Sequence, residues 1–251
     1  MIDLHSHILP GLDDGARTME EAVGIGLAAV ADGIEAIAAT PHVRDDYPTA
    51  AETMEQRVAD VRAALAEADV PLLLYTGGEV ATDRLPQLER QDLERFGLGG
   101  NPRFLLVEFP YFGWPLDLAD QLFKLQLLGI TPVLAHPERN ADVQANPERL
   151  EPIVQAGTLV QVTAASLDGR LGRAPREAGL KLIELGLAHL IASDAHHPGI
   201  RTVGMAAAAK AVGDDALARW LTEEVPRAIV EDARLPERPE VDRRGWFRRR
   251  R

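Results

Sequence analysis

The sequence predicts an α/β fold in which a parallel sheet closes into a seven-stranded barrel. Three observations carry that expectation. Seven short apolar segments alternate with stretches of helical periodicity, the pattern of a parallel sheet covered by crossover helices. Apolar residues make up 46% of the chain and aromatics only 5%, so the core rests on Leu, Val, Ile and Ala, as such sheets require. Six of the seven segments lead into His, Asp or Glu, and right-handed crossovers would gather those side chains on one rim. The chain's 251 residues suit one barrel of this kind. A single domain over 1–235 is expected, followed by a basic, flexible tail over 236–251.

The first strand, 2–7, runs into His5-Ser6-His7. Alternation along a strand sends both imidazoles to one face, where they can close on one metal ion. A chance pair of histidines at a chain end would look the same in isolation, but the later segments repeat the signal. The turn-rich stretch 8–15 then offers Asp13 and Asp14. Thr18 and Glu21 form a capping box ahead of a helix in which Met19, Val23, Gly26, Leu27 and Val30 keep helical spacing until Gly33. The second strand, 35–40, delivers Pro41-His42, and the next helix places Met54, Val58, Val61 and Leu65 on one stripe. The third, 72–75, reaches Gly77-Gly78-Glu79, where two glycines let the backbone pass close to a ligand or metal. Residues 83–96 are charged, with only loose helical periodicity.

The fourth strand, 104–107, delivers Glu108 and opens into the aromatic cluster of the chain, residues 109–115. This cluster reads either as a rim or lid over a site or as packing against a neighbouring helix. Leu118, Leu122 and Leu125 mark a helix stopped by Gly129. The fifth strand, 131–135, delivers His136, and Asn146-Pro147 reads as an N-cap with proline at the first helical position. The sixth, 158–162, enters Thr163-Ala164-Ala165-Ser166, and a helix around Ala178, Leu182 and Leu185 ends at Gly186. The seventh, 189–192, delivers Asp194 and His196. Residues 200–224 read as helical, with Pro226, Pro236 and Pro239 marking irregular chain beyond.

Composition removes several function classes. The chain has no cysteine, which excludes disulfides, zinc ribbons and a cysteine nucleophile. Its start lacks a basic region followed by an apolar one, and no stretch approaches the roughly 18 apolar residues that cross a bilayer. A cytoplasmic protein without membrane insertion is expected. A net charge of −12 argues against broad nucleic-acid binding. Residues 243–251 carry six arginines and no acid, leaving 21 basic residues against 39 acidic ones, a charge of −18, for the rest. That tail reads either as a solubilising end or as a clamp for an acidic partner or anionic membrane surface, with Trp246 and Phe247 as apolar anchors.

A donor set of imidazoles and carboxylates suits manganese, iron or zinc. Two such ions about 3.5–4 Å apart can acidify a shared water, orient a phosphate and neutralise charge on its oxygens. A dianionic ester also needs fixed positive charge, and Arg139 and Arg201 follow His136 and His196 closely enough to grip phosphate oxygens. Taken singly, each arginine would pass for a surface ion-pair partner. Asp3, Glu138, Asn140 and His197 read as supporting residues, and His189 as surface or core at the far end of the barrel.

The motifs DLHSHILPGLDDG at 3–15, ATPH at 39–42, GGE at 77–79, VEFP at 107–110, LAHPERN at 134–140 and ASDAHH at 192–197 resemble the polymerase and histidinol phosphatase (PHP) superfamily. Within it, the chain is similar to the manganese-dependent protein-tyrosine phosphatases of the capsule and exopolysaccharide, CpsB/CapC-like, branch. The resemblance extends from residue 1 to about residue 201. It implies a distorted (β/α)7 barrel of the PHP type, a TIM-like form, holding three ions, manganese foremost, with iron or zinc as substitutes. His5, His7, Glu79 and Asp194 would surround the first, and a bridging Glu79 would join Glu108 and His136 at the second. His42, His196 and a carboxylate of the Asp13-Asp14 pair, Asp14 favoured, would hold the third. The resemblance points to Arg139 and Arg201 as catalytic, and to hydroxide on the metal as the nucleophile. The implied partner is a phosphotyrosine protein, a bacterial tyrosine kinase controlling capsular or exopolysaccharide synthesis.

A small-molecule phosphatase such as histidinol phosphatase would use the same barrel. A buried pocket with polar groups for an imidazole and an amine would favour it, whereas an open, shallow rim would favour a protein tail. An exonuclease of the polymerase-linked type is disfavoured by the acidic charge. A non-catalytic barrel that only binds a phosphoprotein is disfavoured by nine ligand positions all keeping His, Asp or Glu.

Overall fold

The strands of the computed structural model, which describes residues 1–199 and 201–240, follow in chain order. They are β1 (Ile2–Ser6), β2 (Ala36–Ala39), β3 (His42–Arg44), β4 (Tyr47–Pro48), β5 (Leu73–Tyr75), β6 (Glu79–Ala81), β7 (Phe104–Glu108), β8 (Thr131–Ala135), β9 (Leu159–Thr163) and β10 (Leu190–Ala192). Seven of them answer to the expected strands. Every residue of β1, β2, β7, β9 and β10 is buried, because these strands are covered on both faces; β2 and β10 are accordingly wholly apolar, while β1, β7 and β9 also carry buried polar residues.

Two ladders carry the sheet, one in the order β1-β2-β5 and one in the order β10-β9-β8-β7-β6-β3-β4. Every pairing is parallel except the short β3–β4 hairpin. β2 pairs with β5 while β3 pairs with β6, so β2 with β3, and β5 with β6, form two staves of one barrel, each broken midway. Pro41 breaks the first, since proline has no N–H to give a ladder. Gly77 and Gly78 break the second. The expectation that these glycines admit a ligand is corrected: a Cβ on Gly78 would lie 2.5 Å from Cδ1 of Phe96, and one on Gly77 3.1 Å from Cγ2 of Thr40. Their smallness serves packing against the chain itself.

The barrel closes between β10 and β1 through an irregular seam. His5 O accepts from Asp194 N at 2.9 Å, and Ala195 O accepts from His7 N at 2.8 Å. Buried Asp3 reinforces the seam, its Oδ1 accepting from Ser193 N (2.9 Å) and His5 N (3.2 Å). The expected distorted seven-stave barrel is therefore what forms, the distortion lying in the broken staves and this seam.

The helices Ala51–Glu67 and Leu118–Leu127 bury the expected stripes, Met54, Val58, Val61 and Leu65 on one and Leu118, Leu122 and Leu125 on the other. Arg173–Leu185 buries Ala178 and Leu182 with Leu185 half-buried, and Met19–Ala31 is rotated from expectation, burying Ala22, Ile25, Gly26 and Ala29 and leaving Leu27 exposed. Some details differ from the sequence expectation. Thr18 caps the first helix by accepting from Glu21 N, but the Glu21 carboxylate turns to Arg17 instead of closing the box. Residues 83–96 hold only a short turn, Leu85–Gln87, and a short helix, Arg90–Arg95. Asn146 makes no capping bond; that work falls to Asn140, whose Oδ1 accepts from Asp142 N and Val143 N.

The helical region after 204 comprises Met205–Val212, Asp215–Arg219 and a π-helical turn, Trp220–Glu224, and it continues as Val225–Val230. Pro226 thus stands in helical chain directly after the π-helical turn, and not in irregular chain. Beyond it, Pro236 O accepts from Trp220 Nε1 at 3.1 Å, and Arg238 donates to Ile183 O at 2.7 Å. The described chain therefore follows the barrel past the expected boundary at 235. The arginine cluster at 243–251 lies outside the described residues. No described helix is long and apolar enough to cross a membrane.

Candidate metal centre

All nine side chains singled out as ligands meet at one end of the barrel. His5 comes from β1 and His7 from the residue just past it, His42 and Glu79 from the first residues of β3 and β6, and Glu108 from the last residue of β7. Asp14, His136, Asp194 and His196 come from the turns that follow strands. All are buried except Asp14, whose side chain is 44% exposed. Ser6, between the two histidines, turns the other way and donates to Ala38 O, so strand alternation aims both imidazoles inward.

Glu79 is the hub. Its Oε2 lies 3.4 Å from His5 Nε2, 3.4 Å from His7 Nε2 and 2.9 Å from His42 Nδ1, and its Oε1 is 2.8 Å from His136 Nε2. Asp194 Oδ1 lies 3.4 Å from His5 Nε2, 3.3 Å from His7 Nε2 and 3.4 Å from His196 Nδ1. Asp14 Oδ1 approaches His42 Nε2 (3.4 Å) and His196 Nε2 (3.3 Å). Asp13 instead holds His7, its Oδ2 2.7 Å from Nδ1 and also accepting from His42 N. Four overlapping groups result: His7 with Asp14, His42 and His196; His5 with Glu79 and His136; His5 with His7 and Asp194; His42 with Glu79 and Glu108. Glu108 thus groups with His42, where the three-ion partition implied by the resemblance joins it to His136.

These residues fit divalent ions. Glu79 Oε2, His42 Nδ1 and His196 Nε2 are buried and, although close to one another or to Asp14, lack a well-directed hydrogen bond, as does His136 Nδ1, a costly state for polar atoms unless something coordinates or bonds them. His5 Nε2 and His7 Nε2 face each other at 3.3 Å, about the separation of two nitrogens on one ion with 2.1 Å bonds. His136 and Asp194 hold left-handed backbone, φ 38° and 53°, a strain of roughly 1–3 kcal/mol each that clusters at functional sites.

The electrostatics agree. Burial opposes the charge of Glu79, yet positive His5 and His42 outweigh it and hold the carboxyl well below the usual range. Burial likewise opposes charge on His42, but Glu79 and Asp14 push it up to about 9. Burial lowers His136 to about 4, leaving a neutral imidazole with a lone pair to give. Burial, with Glu79 adding to it, pushes Glu108 up to about 7. Cations among these carboxylates would take over the stabilising role of histidine charge.

Arg139 and Arg201 flank the cluster. Arg139 Nη1 donates to Asp194 Oδ2 at 2.6 Å, and Arg201 Nη2 approaches the same oxygen at 3.5 Å. The Arg139 guanidinium lies 4.6 Å from the Tyr111 ring centroid, and that ring stacks on His136.

Several supports were invisible as such in the sequence. Gln161 Oε1 lies 3.0 Å from His5 Nδ1, Arg44 donates to Glu108 Oε1 at 2.9 Å, and Tyr111 braces Arg139. Arg170 donates to Thr202 O and Val203 O, just past Arg201, while Asp168 fixes its Nε. Gln161 left one signal, a polar residue at the centre of an apolar strand. Among the residues read as supports, Glu138 accepts from Thr163 N and Ser166 Oγ. Asn140 donates to Pro110 O and Gly113 O, and so pins the aromatic loop to the Arg139 turn. His197 accepts from Gly199 N, and its Nε2 lies 3.7 Å from Glu21 Oε1. His189 Nδ1 accepts from Val160 N, far from the cluster.

Residues 1–229 match the family described as capsular polysaccharide synthesis, CpsB/CapC. The tyrosine-protein phosphatase YwqE of Bacillus subtilis (strain 168) is 35% identical over 239 residues, 94% of this chain and 91% of that protein. The tyrosine-protein phosphatase CpsB of Streptococcus pneumoniae is 28% identical over 244 residues, 92% of this chain and 99% of that protein. A chain from the crystal structures of YwqE from Bacillus subtilis and CpsB from Streptococcus pneumoniae, described as unique metal-dependent tyrosine phosphatases, matches with a TM-score of 0.85. It is 30% identical and covers 96% of this chain and 100% of that one. With the motifs, the barrel and the rim cluster in agreement with these matches, the chain belongs to the CpsB/CapC family of capsular polysaccharide synthesis.

Proposed function

We propose that the chain is a metal-dependent protein-tyrosine phosphatase with manganese as its metal, folded as one domain and acting in the cytoplasm on a tyrosine kinase of polysaccharide synthesis. The observation that carries the chemistry is the juxtaposition of the imidazole–carboxylate cluster with two guanidinium groups on one carboxylate, Asp194. The named activities of YwqE and CpsB support the choice of substrate, as does the open groove beside the centre.

His5, His7, Asp14, His42, Glu79, Glu108, His136, Asp194 and His196 would hold the ions. When bound, such ions polarise phosphoryl oxygens and acidify water. The chain's own residues do the rest. Arg139 and Arg201 offer N–H groups to the phosphate oxygens and stay charged throughout. Asp194 keeps both guanidinium groups aimed at the centre until phosphate arrives. Tyr111 fixes the plane of Arg139 from one face. Burial pushes the Tyr111 hydroxyl up to about 12, so it stays a phenol and serves by shape and not as a base. The leaving phenol, with a pKa of about 10, demands less proton donation than an alkyl alcohol would.

Arg139→Lys tests this reading. Lysine keeps the charge but loses the planar fork, so kcat/KM for a phosphotyrosine peptide should fall roughly a hundredfold with an unchanged circular dichroism spectrum. A variant within twofold of the parent would remove Arg139 from the mechanism.

A further inference from the structure

The rim does not end at the metal centre. A groove of about 730 Å³ opens from Glu108 and Tyr111, and its walls come from the β3–β4 hairpin, the turn after β6 and the loop after β7. Five carboxylates line it, those of Asp45, Asp46, Asp83, Glu108 and Asp117, against the single guanidinium of Arg44. Arg44 is shared between Asp46 and Glu108, and Asp45 is met by Arg84 at 3.1 Å. Among the described residues, Asp83 and Asp117 have no lysine or arginine partner; Asp117 only accepts from Gln121 Nε2, at 2.5 Å.

Two further observations point to an occupant. Gln121 lines the groove, is 7% exposed, and has its Oε1 buried without a hydrogen-bond partner, a costly state for an acceptor unless something bonds it. At the lip, Phe112 is 84% exposed between Pro110 and Pro115, an apolar surface of the sort that marks contact sites.

We propose that this groove docks the peptide chain flanking the phosphotyrosine of a protein substrate, and that it selects segments carrying lysine or arginine beside an apolar residue. The proposal rests on the phosphatase reading and adds the recognition code to it. Glu108 and Tyr111 belong to both groove and centre, so a phosphotyrosine held at the centre places its neighbours in the groove. An extended chain advances about 3.3–3.6 Å per residue, which brings the first few flanking side chains past Phe112 and the aspartates. Acidic flanks would meet like charge there.

The test uses the manganese-loaded full chain and two phosphotyrosine peptides that differ only in carrying lysines or glutamates beside the tyrosine. Turnover of each is divided by that of p-nitrophenyl phosphate, which is too small to reach the groove. Binding of the fluorescein-labelled, unphosphorylated peptides is followed in parallel by anisotropy. The lysine peptide should lead by roughly five- to tenfold in both measurements at low salt, the yield of a few exposed ion pairs, and the lead should shrink at high salt. Asp83→Lys/Asp117→Lys should bring the ratio near one. Equal behaviour of the two peptides, or a preference that survives the double substitution, overturns the groove. Absence of p-nitrophenyl phosphate turnover would instead overturn the phosphatase reading, and the anisotropy ratio would still decide the groove.

Discussion

Glu79 meets four imidazoles, and its burial makes it the residue on which the rim balances. The residues around it differ in how plainly the sequence announced them. Ligand candidates were legible because a His or acid at the end of an apolar strand has few other uses, whereas Gln161, Arg44 and Tyr111 act through neighbours that only the fold supplies. Asp13 and Asp14 could be told apart only by geometry, since adjacent carboxylates in a turn look alike in sequence.

His189 gives a residue-scale prediction away from the centre. Burial first, and then Arg238, lower it from 6.5 to about 4, while its Nδ1 accepts from Val160 N. A base whose folded pKa is depressed contributes stability above pH 6.5 and loses it as the pH falls towards 4, by up to roughly 3 kcal/mol. His189→Gln should therefore lose less stability than the parent between pH 6.5 and 4 in urea titrations of the metal-free protein. Parallel curves for the two would contradict the assignment.

At the scale of elements, the seven expected strands and the four covering helices were readable because burial on one or both faces writes itself into apolar pattern. β3, β4 and β6 were not: they start with or adjoin site residues, so polarity hides the strand. The loop after β10 is a further element whose shape depends on distant partners. Gly204 has φ +78°, and a Cβ there would lie 2.1 Å from Arg170 Nη2. The Arg170 guanidinium thus fills the space glycine leaves, and binds the carbonyls that follow Arg201. Arg170→Met should speed amide exchange at 201–204 and raise KM for an aryl phosphate several-fold, with little change in the far-ultraviolet spectrum. Unchanged exchange would show that the loop holds its shape without this clamp.

At the scale of the whole molecule, a cluster of four carboxylates and five imidazoles closes one end of the barrel, beside an acidic groove and two arginines. Such an arrangement concentrates divalent cations first and a phosphate ester second. The open groove also separates the two enzyme readings that sequence left standing, because histidinol phosphate needs an enclosing pocket and a phosphotyrosine segment needs room on either side. The most direct measurement is phosphate release by the manganese-loaded protein from a phosphotyrosine peptide and from histidinol phosphate, side by side, each with a chelator control. Faster release from the peptide, abolished by chelator, is the predicted result. Preference for histidinol phosphate, or release from the peptide that persists in chelator, would contradict the account.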